Sequence, residues 1–503
     1  MFENVLSTMI FLPIVIGLAA MLIPFSSTTA RRIGLIVSFI VLFFGLKVYL
    51  GFTGSGQLEF SETRALLESV GVFYRIGVDG ISLFVLLTGA ALIPIVFVVV
   101  KDRPRAFYGC LLVTQGAMAG AICAADLVLF YAFWEIMLLP IFFMIGIYGG
   151  PDRKAATIKI MLFTVSGSLL MLAAIIYLGV AFHGQYGVWS FDTAGLAGLE
   201  LSDKAAALAF FAFMIAFAIK IPIFPLHTWL PDAYTEAPAA ATFLLSAIMA
   251  KIGIYAVIRF IMPVFGPELV RYAMPLAWAA VIGLIYCGIA AIGQKDMKRL
   301  LAFSSASHMG ILALGLFCLN IQALTGSIFQ IMAHATSTGL LFLLIGIIED
   351  RLQTREISDL GGIARQAPIF ACFFAVALLA SVGLPGTSGF IGEFLIIMGA
   401  IKFNTALGVL TATSLIIGVC YMLWMFQRVF FEKSNEKTQG FVDLSMCETL
   451  AFLPVILLIL FMGVFPQPFI ARITPAIQSQ IATVQGTGQI TGQVALDHIQ
   501  QQK

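Results

Sequence analysis

The sequence predicts an all-α integral membrane protein of about fourteen crossing helices, and three observations predict it. Of its 503 residues, 60% are hydrophobic and only 11% are charged, too few polar side chains to cover a water-soluble fold. Apolar runs near the length of about 20 residues that an α-helix needs to cross hydrocarbon recur from Val5 to Phe465 without a soluble interruption. Lysine and arginine are segregated between alternate loops, as they are in polytopic membrane proteins.

Taken in order, the runs at 5–23, 33–50, 80–100, 106–124, 127–148, 158–180, 205–228, 240–262, 273–293, 300–319, 322–348, 368–396, 405–427 and 449–466 are assigned as helices. The first has no basic region before it and no small-residue cleavage pattern after it, so it reads as a retained helix and not a signal peptide. Loops after odd-numbered helices hold seventeen cations, from Arg31 and Arg32 through Lys298 and Arg299 to Lys437. Loops after even-numbered helices hold six: Arg64, Arg75, Lys204, Arg259, Arg271 and Lys402. This bias puts the odd-numbered loops on the cytoplasmic side and both termini outside. The tail after Pro466, rich in Gln, Thr and Gly, is expected to form a short helix and a peripheral stretch on the outer face.

Two helices are expected to be broken. In Ile219-Lys-Ile-Pro-Ile-Phe-Pro225 of the seventh, Pro222 and Pro225 remove donors and should free the carbonyls of Ala218 and Ile221. In Gly383-Leu-Pro-Gly-Thr-Ser-Gly389, Gly383, Pro385 and Gly386 should unwind the twelfth. Their surroundings repeat: Phe210 to Pro222 can be laid on Phe373 to Pro385, and Ser166-Gly-Ser-Leu-Leu resembles Thr338-Gly-Leu-Leu-Phe. Together these matches pair helices four to eight with nine to thirteen. Five is odd, so the second copy would be inverted in the membrane. The expected units are 1–105, 106–262, 273–428, and 449–503 with the last helix and tail. The match places Lys220 over Gly383 and Glu393 over Leu230.

Few ionisable groups lie inside apolar runs. Among the cations they are Lys47, Lys220 and Lys251; among the acids, Glu135 and Glu393. Lys47 is near a helix end, where its stem can snorkel to the interface. The other four have no such escape, and a charge at mid-bilayer costs about 3 kcal/mol on insertion scales, so function is the default reading. The bland alternative is two buried ion pairs that set helix register. Glu135 stands one turn before Pro140, and Lys220 beside a broken backbone, which is tolerated at membrane depth only in protein or against a wet cavity. Moving or neutralising the Glu135 charge would switch Lys220 between holding and releasing a proton. Lys251 would be the next station and Glu393 the terminal carboxylate. His308 and His334 suit proton relay near neutral pH, or are hydrogen-bonded interior histidines. His227, Asp232 and Glu236 follow the first break and either cap the half-helix or carry protons.

The seven cysteines have neither metal-ligand spacing nor a disulfide framework, the closest pair, Cys110 and Cys123, being thirteen positions apart. A P-loop and a Gly-x-Gly-x-x-Gly fingerprint are also missing. A net charge of +2 says little about partners; lipid is expected and nucleic acid is not.

At Phe133-Trp-Glu135, Lys220 to Tyr234, Lys251 with its surroundings, and Gly383 to Phe394, the sequence resembles the antiporter-like subunits of proton-pumping NADH:quinone oxidoreductase (respiratory complex I) and the related subunits of multisubunit sodium/proton antiporters. The resemblance covers all fourteen helices. It implies that Glu135 and Lys220 form a coupled pair, that Lys251, His308 and His334 connect a central axis, and that a charged residue on the broken twelfth helix completes it. In the L-type and N-type branches that residue is usually lysine; Glu393 resembles the M-type. Nothing after the fourteenth helix is long enough for the lateral helix of the L-type. The resemblance implies a translocase subunit without a redox site of its own, FMN, iron-sulfur clusters and quinone being handled by partner subunits, with the L-type and N-type subunits as membrane neighbours. Length and charge bias favour a bacterial inner membrane over a mitochondrial one. A sodium/proton antiporter subunit is the alternative of the same fold. Outside that fold, a haem protein with His308 and His334 as axial ligands would show a visible absorption band, and a passive scaffold would tolerate Lys220→Ala.

Overall fold

The computed structural model describes residues 4–24 and 26–486. Helices α1 (Val5–Leu22) and α2 (Ser27–Gly51) lead into an antiparallel hairpin, β1 (Glu59–Leu67) with β2 (Val72–Val78). Then follow α3 (Ser82–Val99), α4 (Arg105–Cys123), α5 (Leu127–Tyr148), α6 (Arg153–Tyr186), α7 (Asp203–Lys220), α8 (Trp229–Glu236), α9 (Ala239–Val264), α10 (Gly266–Ile292), α11 (Met297–Phe317) and α12 (Ile321–Leu352). The chain ends with α13 (Pro368–Ser381), α14 (Ser388–Phe403), α15 (Thr405–Phe431), α16 (Met446–Val464) and α17 (Gln467–Val484). Among the described residues, twelve helices are long and apolar enough to cross a membrane. The expectation of fourteen adds the two interrupted segments, α7 with α8 and α13 with α14.

Helix starts follow local chemistry. Asp126, Asp296, Asn320 and Asn404 accept from the first free amides of α5, α11, α12 and α15, and Ser445 with Glu448 forms a reciprocal capping box on α16. Burial then sorts the helices. α9 and α12 are buried through their apolar middle stretches and α4 and α11 nearly so, whereas α1, α2, α6, α15 and α16 turn residues such as Leu22, Leu50, Leu162, Ile416 and Val464 outward. Such faces fit hydrocarbon or a neighbouring subunit, not water. Lys47 is exposed on α2, its ammonium 4.7 Å from the Phe43 ring centroid.

The all-α expectation needs one correction, the hairpin. Tyr74, Ile76 and Val78 are buried on alternate positions of β2, a period of two that was legible but sits in a stretch otherwise read as loop. The helix expected after Pro466 is α17, and it packs on the hairpin side: a methyl on Gly80 would meet the Arg472 carbonyl. The remainder of the expected tail, residues 487–503, lies outside the described residues.

Gly463 of α16 rests against the second interrupted segment. A methyl there would lie 2.4 Å from both the Gly386 carbonyl oxygen and the Thr387 carbonyl carbon, so backbone would have to move. Gly463→Ala is therefore expected to destabilise the protein by about 1–3 kcal/mol. Thermal unfolding in detergent checks it; an unchanged midpoint would mean that α16 does not hold the break in place.

Candidate functional site

The first break follows from its prolines. Ile221 closes the last α-helical bond of α7, its N–H on the Phe217 carbonyl at 2.8 Å, and Ile223 N–H then bonds Ala218 O at 2.9 Å. The carbonyl of Ala218 is thus not freed, contrary to expectation, because the turn supplies a donor five residues on. Trp229 Nε1 takes the carbonyl of Ile219 at 2.9 Å. Lys220, 2% exposed, ends the helix with its ammonium 5.2 Å from the centroid of the Trp134 ring.

Glu135 follows Trp134 in α5, where the helix loses a bond near Met137: Pro140 has no N–H for the Ile136 carbonyl. The carboxyl is half-buried, and its Oε1 is enclosed without a hydrogen-bond partner. Among the described residues no carboxylate oxygen lies within 4.0 Å of Lys220, yet Glu135 is the charge that acts on it through space. The two are neighbours without being latched together, which is what a switchable pair requires.

A second group consists of two hydrogen-bonded pairs that meet ring to ring. Leu245–Met249 is a π-helical turn of α9, which leaves the Ser246 carbonyl to the Lys251 ammonium. Lys251 Nζ is 2.8 Å from His334 Nδ1 on α12. The His334 and His308 rings are 5.5 Å apart, and His308 Nδ1 is 3.1 Å from Glu393 Oε1. All four residues are at most 8% exposed. His334 Nε2, His308 Nε2 and Glu393 Oε2 are enclosed without partners, and a cavity with room for about one water is lined by Ser307, His308, Glu393, Ser414 and Tyr421.

Glu393 reaches this group because the second break lets α14 turn inward. Gly383 and Gly386 have φ of 71° and 91°, conformations that favour glycine, with Pro385 between them. Any side chain on Gly383 would meet Glu393 Oε2 at 2.5 Å. Leu384 N–H bonds Leu379 O at 3.0 Å, the counterpart of the Ile223 to Ala218 bond. The backbone therefore pairs Pro222 with Gly383, whereas the sequence match had paired it with Pro385. Laying one break on the other by that bond would align Lys220 with Ser381 and Glu393 with Asp232.

The six expected residues thus form two clusters, Glu135 with Lys220, and Lys251 with His334, His308 and Glu393. No hydrogen bond joins the clusters among the described residues, but Gly253 brings their helices close, since a methyl on it would sit 2.7 Å from Ile221 Cγ1. Asp232 instead binds Lys159 at 2.7 Å and Arg299 at 3.0 Å, and Glu236 accepts from Asp152 N–H at 2.9 Å, so both tie α8 to the surface. His227 packs between the rings of Phe224 and Tyr286.

Sequence reasoning missed three polar groups. Gln330 donates to Glu393 Oε1 at 3.2 Å; it lies one turn from His334, a spacing that was a usable signal. Arg259 and Lys298, assigned to loops, are buried within α9 and α11. Arg259 pairs with Asp79 at 2.8 Å. No window of sequence shows that pairing, because its partners are 180 positions apart.

A multi-pass bundle with two interrupted helices and a buried file of lysine, histidine and glutamate defines an antiporter-like class of membrane protein. Within that class, the chain belongs to the NADH:quinone oxidoreductase/Mrp antiporter transmembrane family, whose profile matches residues 124–418. It is 36% identical to the NADH-quinone oxidoreductase subunit M of Rickettsia conorii, over 92% of this chain and 95% of that one. In structure it is similar to a chain of respiratory complex I from Thermus thermophilus with bound NADH, with a TM-score of 0.88 and 34% identity over 96% of this chain and 100% of that one. A chain of the Mrp complex from Dietzia, 20% identical with a TM-score of 0.85 over 96% of this chain and 99% of that one, shares the fold.

Proposed function

We propose that this chain is a proton-translocating membrane subunit of NADH:quinone oxidoreductase, of the M type, moving protons outward as quinone is reduced in partner subunits. Relatives named as subunit M support the assembly, and the buried file in which the Lys251–His334 and His308–Glu393 pairs meet ring to ring is the observation that carries the chemistry. In this reading the Glu135 and Lys220 pair responds to charge changes from the neighbouring subunit. Lys251, His334 and His308 pass the proton on, and Glu393 holds it before release. FMN, iron-sulfur clusters and quinone belong to partner subunits, and the L-type and N-type subunits are the membrane neighbours. The membrane is a bacterial inner membrane with both termini outside, as the loop charges favour. Residues 106–262 and 273–428 act as two inverted five-helix units between 1–105 and 449–503.

Glu135→Ala tests this in membranes carrying the whole complex, with assembly followed on a native gel. The assembled complex is expected to lose about tenfold in both NADH oxidation and proton pumping, short of the roughly hundredfold or more for loss of a group that itself transfers the proton. Persistence of both activities would make the charge structural.

A further inference from the structure

Lys298 stands in the first turn of α11, yet its side chain is only 1% exposed. Its ammonium donates to the Ala237 carbonyl and lies 3.7 Å from Glu349 Oε2. Glu349 is 35% exposed, so the lysine is one carboxylate away from water. Around them, Arg355 bridges Glu349 and Asp296 at 3.1 and 3.0 Å, and Glu236 also acts on the ammonium.

From Ala237 a file of hydroxyls runs inward. Thr242 Oγ1 donates to the Ala237 carbonyl at 3.2 Å and to the Tyr234 carbonyl at 2.9 Å. One helical turn further, Ser246 Oγ is 3.2 Å from Ser305 Oγ of α11, and the Ser246 carbonyl takes the Lys251 ammonium. α12 runs alongside, with Gly346 against Ala239, Gly339 against Phe243 and Ala247, and His334 at Lys251. At this level Thr338 Oγ1 and Tyr234 OH are buried without a hydrogen-bond partner. Such orphaned hydroxyls are costly in a membrane interior unless water meets them.

We propose that Lys298 is the proton-loading group of a cytoplasmic uptake route that reaches Lys251 along Thr242, Thr338, Ser246 and Ser305. A proton from bulk water reaches the Lys298 amine by way of the Glu349 carboxylate. The ammonium then passes a proton to water in the hydroxyl file and returns to the amine. The excess proton moves along the file to the Lys251 amine, which an earlier transfer to His334 Nδ1 has left neutral. Only O–H and N–H bonds form and break, and one proton enters the file for each one that leaves it. This route rests on the proton-translocating reading above.

The test uses the whole complex in inside-out membrane vesicles, where the buffer sets the pH of the cytoplasmic face. Lys298→Arg keeps the positive charge and donors but cannot release a proton. It is expected to assemble and to pump about tenfold more slowly at about pH 8, recovering as the buffer approaches about pH 6 and water protonates the file directly. Wild-type pumping in Lys298→Arg would overturn the route. Should that variant fail to assemble, Thr338→Val and Ser305→Ala decide: roughly threefold slower pumping in each supports the file, and unchanged rates overturn it. Glu135→Ala is run in parallel. If it loses pumping while the Lys298, Thr338 and Ser305 variants keep it, the route alone is wrong; if it too keeps pumping, the proposed function falls.

Discussion

Lys220→Ala is expected to leave an assembled complex that oxidises NADH and pumps protons about a hundredfold more slowly than wild type. The side chain is 2% exposed at the end of α7, and its ammonium faces Trp134 beside the unlatched carboxyl of Glu135. The break itself depends on Pro222, Pro225 and the bonds to Ala218 and Ile219, none of which the lysine supplies, so alanine removes the titrating group and spares the backbone. Lys220→Arg separates charge from chemistry, because guanidinium stays protonated. It is expected to be as slow as alanine in the coupled assay. Near-normal pumping by the arginine variant would show that a fixed charge suffices and that no proton passes through Lys220.

The other large effect is on stability. Arg259 and Asp79 form a 2.8 Å pair whose side chains are 10% and 5% exposed, and Asp79 also caps α3 by accepting from Ile81 N–H and Ser82 N–H. Arg259→Leu leaves a buried carboxylate without its counter-ion, which costs about 3–5 kcal/mol. A lower thermal midpoint in detergent and reduced amounts of assembled complex are the measurements. Adding Asp79→Asn removes the stranded charge and retains an oxygen for the cap, so the double variant is expected to recover part of the loss. A single variant with the wild-type midpoint would sink the argument.

Much of this protein was legible from composition and spacing. The apolar runs correspond to the helices, both breaks fall at Pro222 and Pro225 and at Gly383 to Gly386, and of the four charges without an escape to the interface Lys220, Lys251 and Glu393 are buried in the protein and Glu135 is half-buried. Hydrocarbon accepts almost no unpaired polar group, so each exception stands out in the sequence. The same rule failed at helix ends, where a cation can either reach water or be buried. Lys47 sits exposed over a phenylalanine ring, whereas Arg259 and Lys298 are enclosed. Apolar runs look alike in each case.

Which polar groups meet was decided only by packing. Lys251 and His334 are 83 positions apart and His308 and Glu393 are 85 apart, so each contact exists because two helices cross at the right depth and rotation. The repeat register shows the same limit: matching residue types paired Pro222 with Pro385, but backbone hydrogen bonds pair it with Gly383. By itself the sequence determined the membrane class, the two interruptions and the titratable residues well inside the apolar runs, because each is a local consequence of placing a backbone and its side chains in lipid. The tertiary structure alone decided that Glu135 is held apart from Lys220, that Lys251, His334, His308 and Glu393 share one file, and that Arg259 closes on Asp79. Those are differences of a few ångströms between helices, and no single segment contains the atoms that set them.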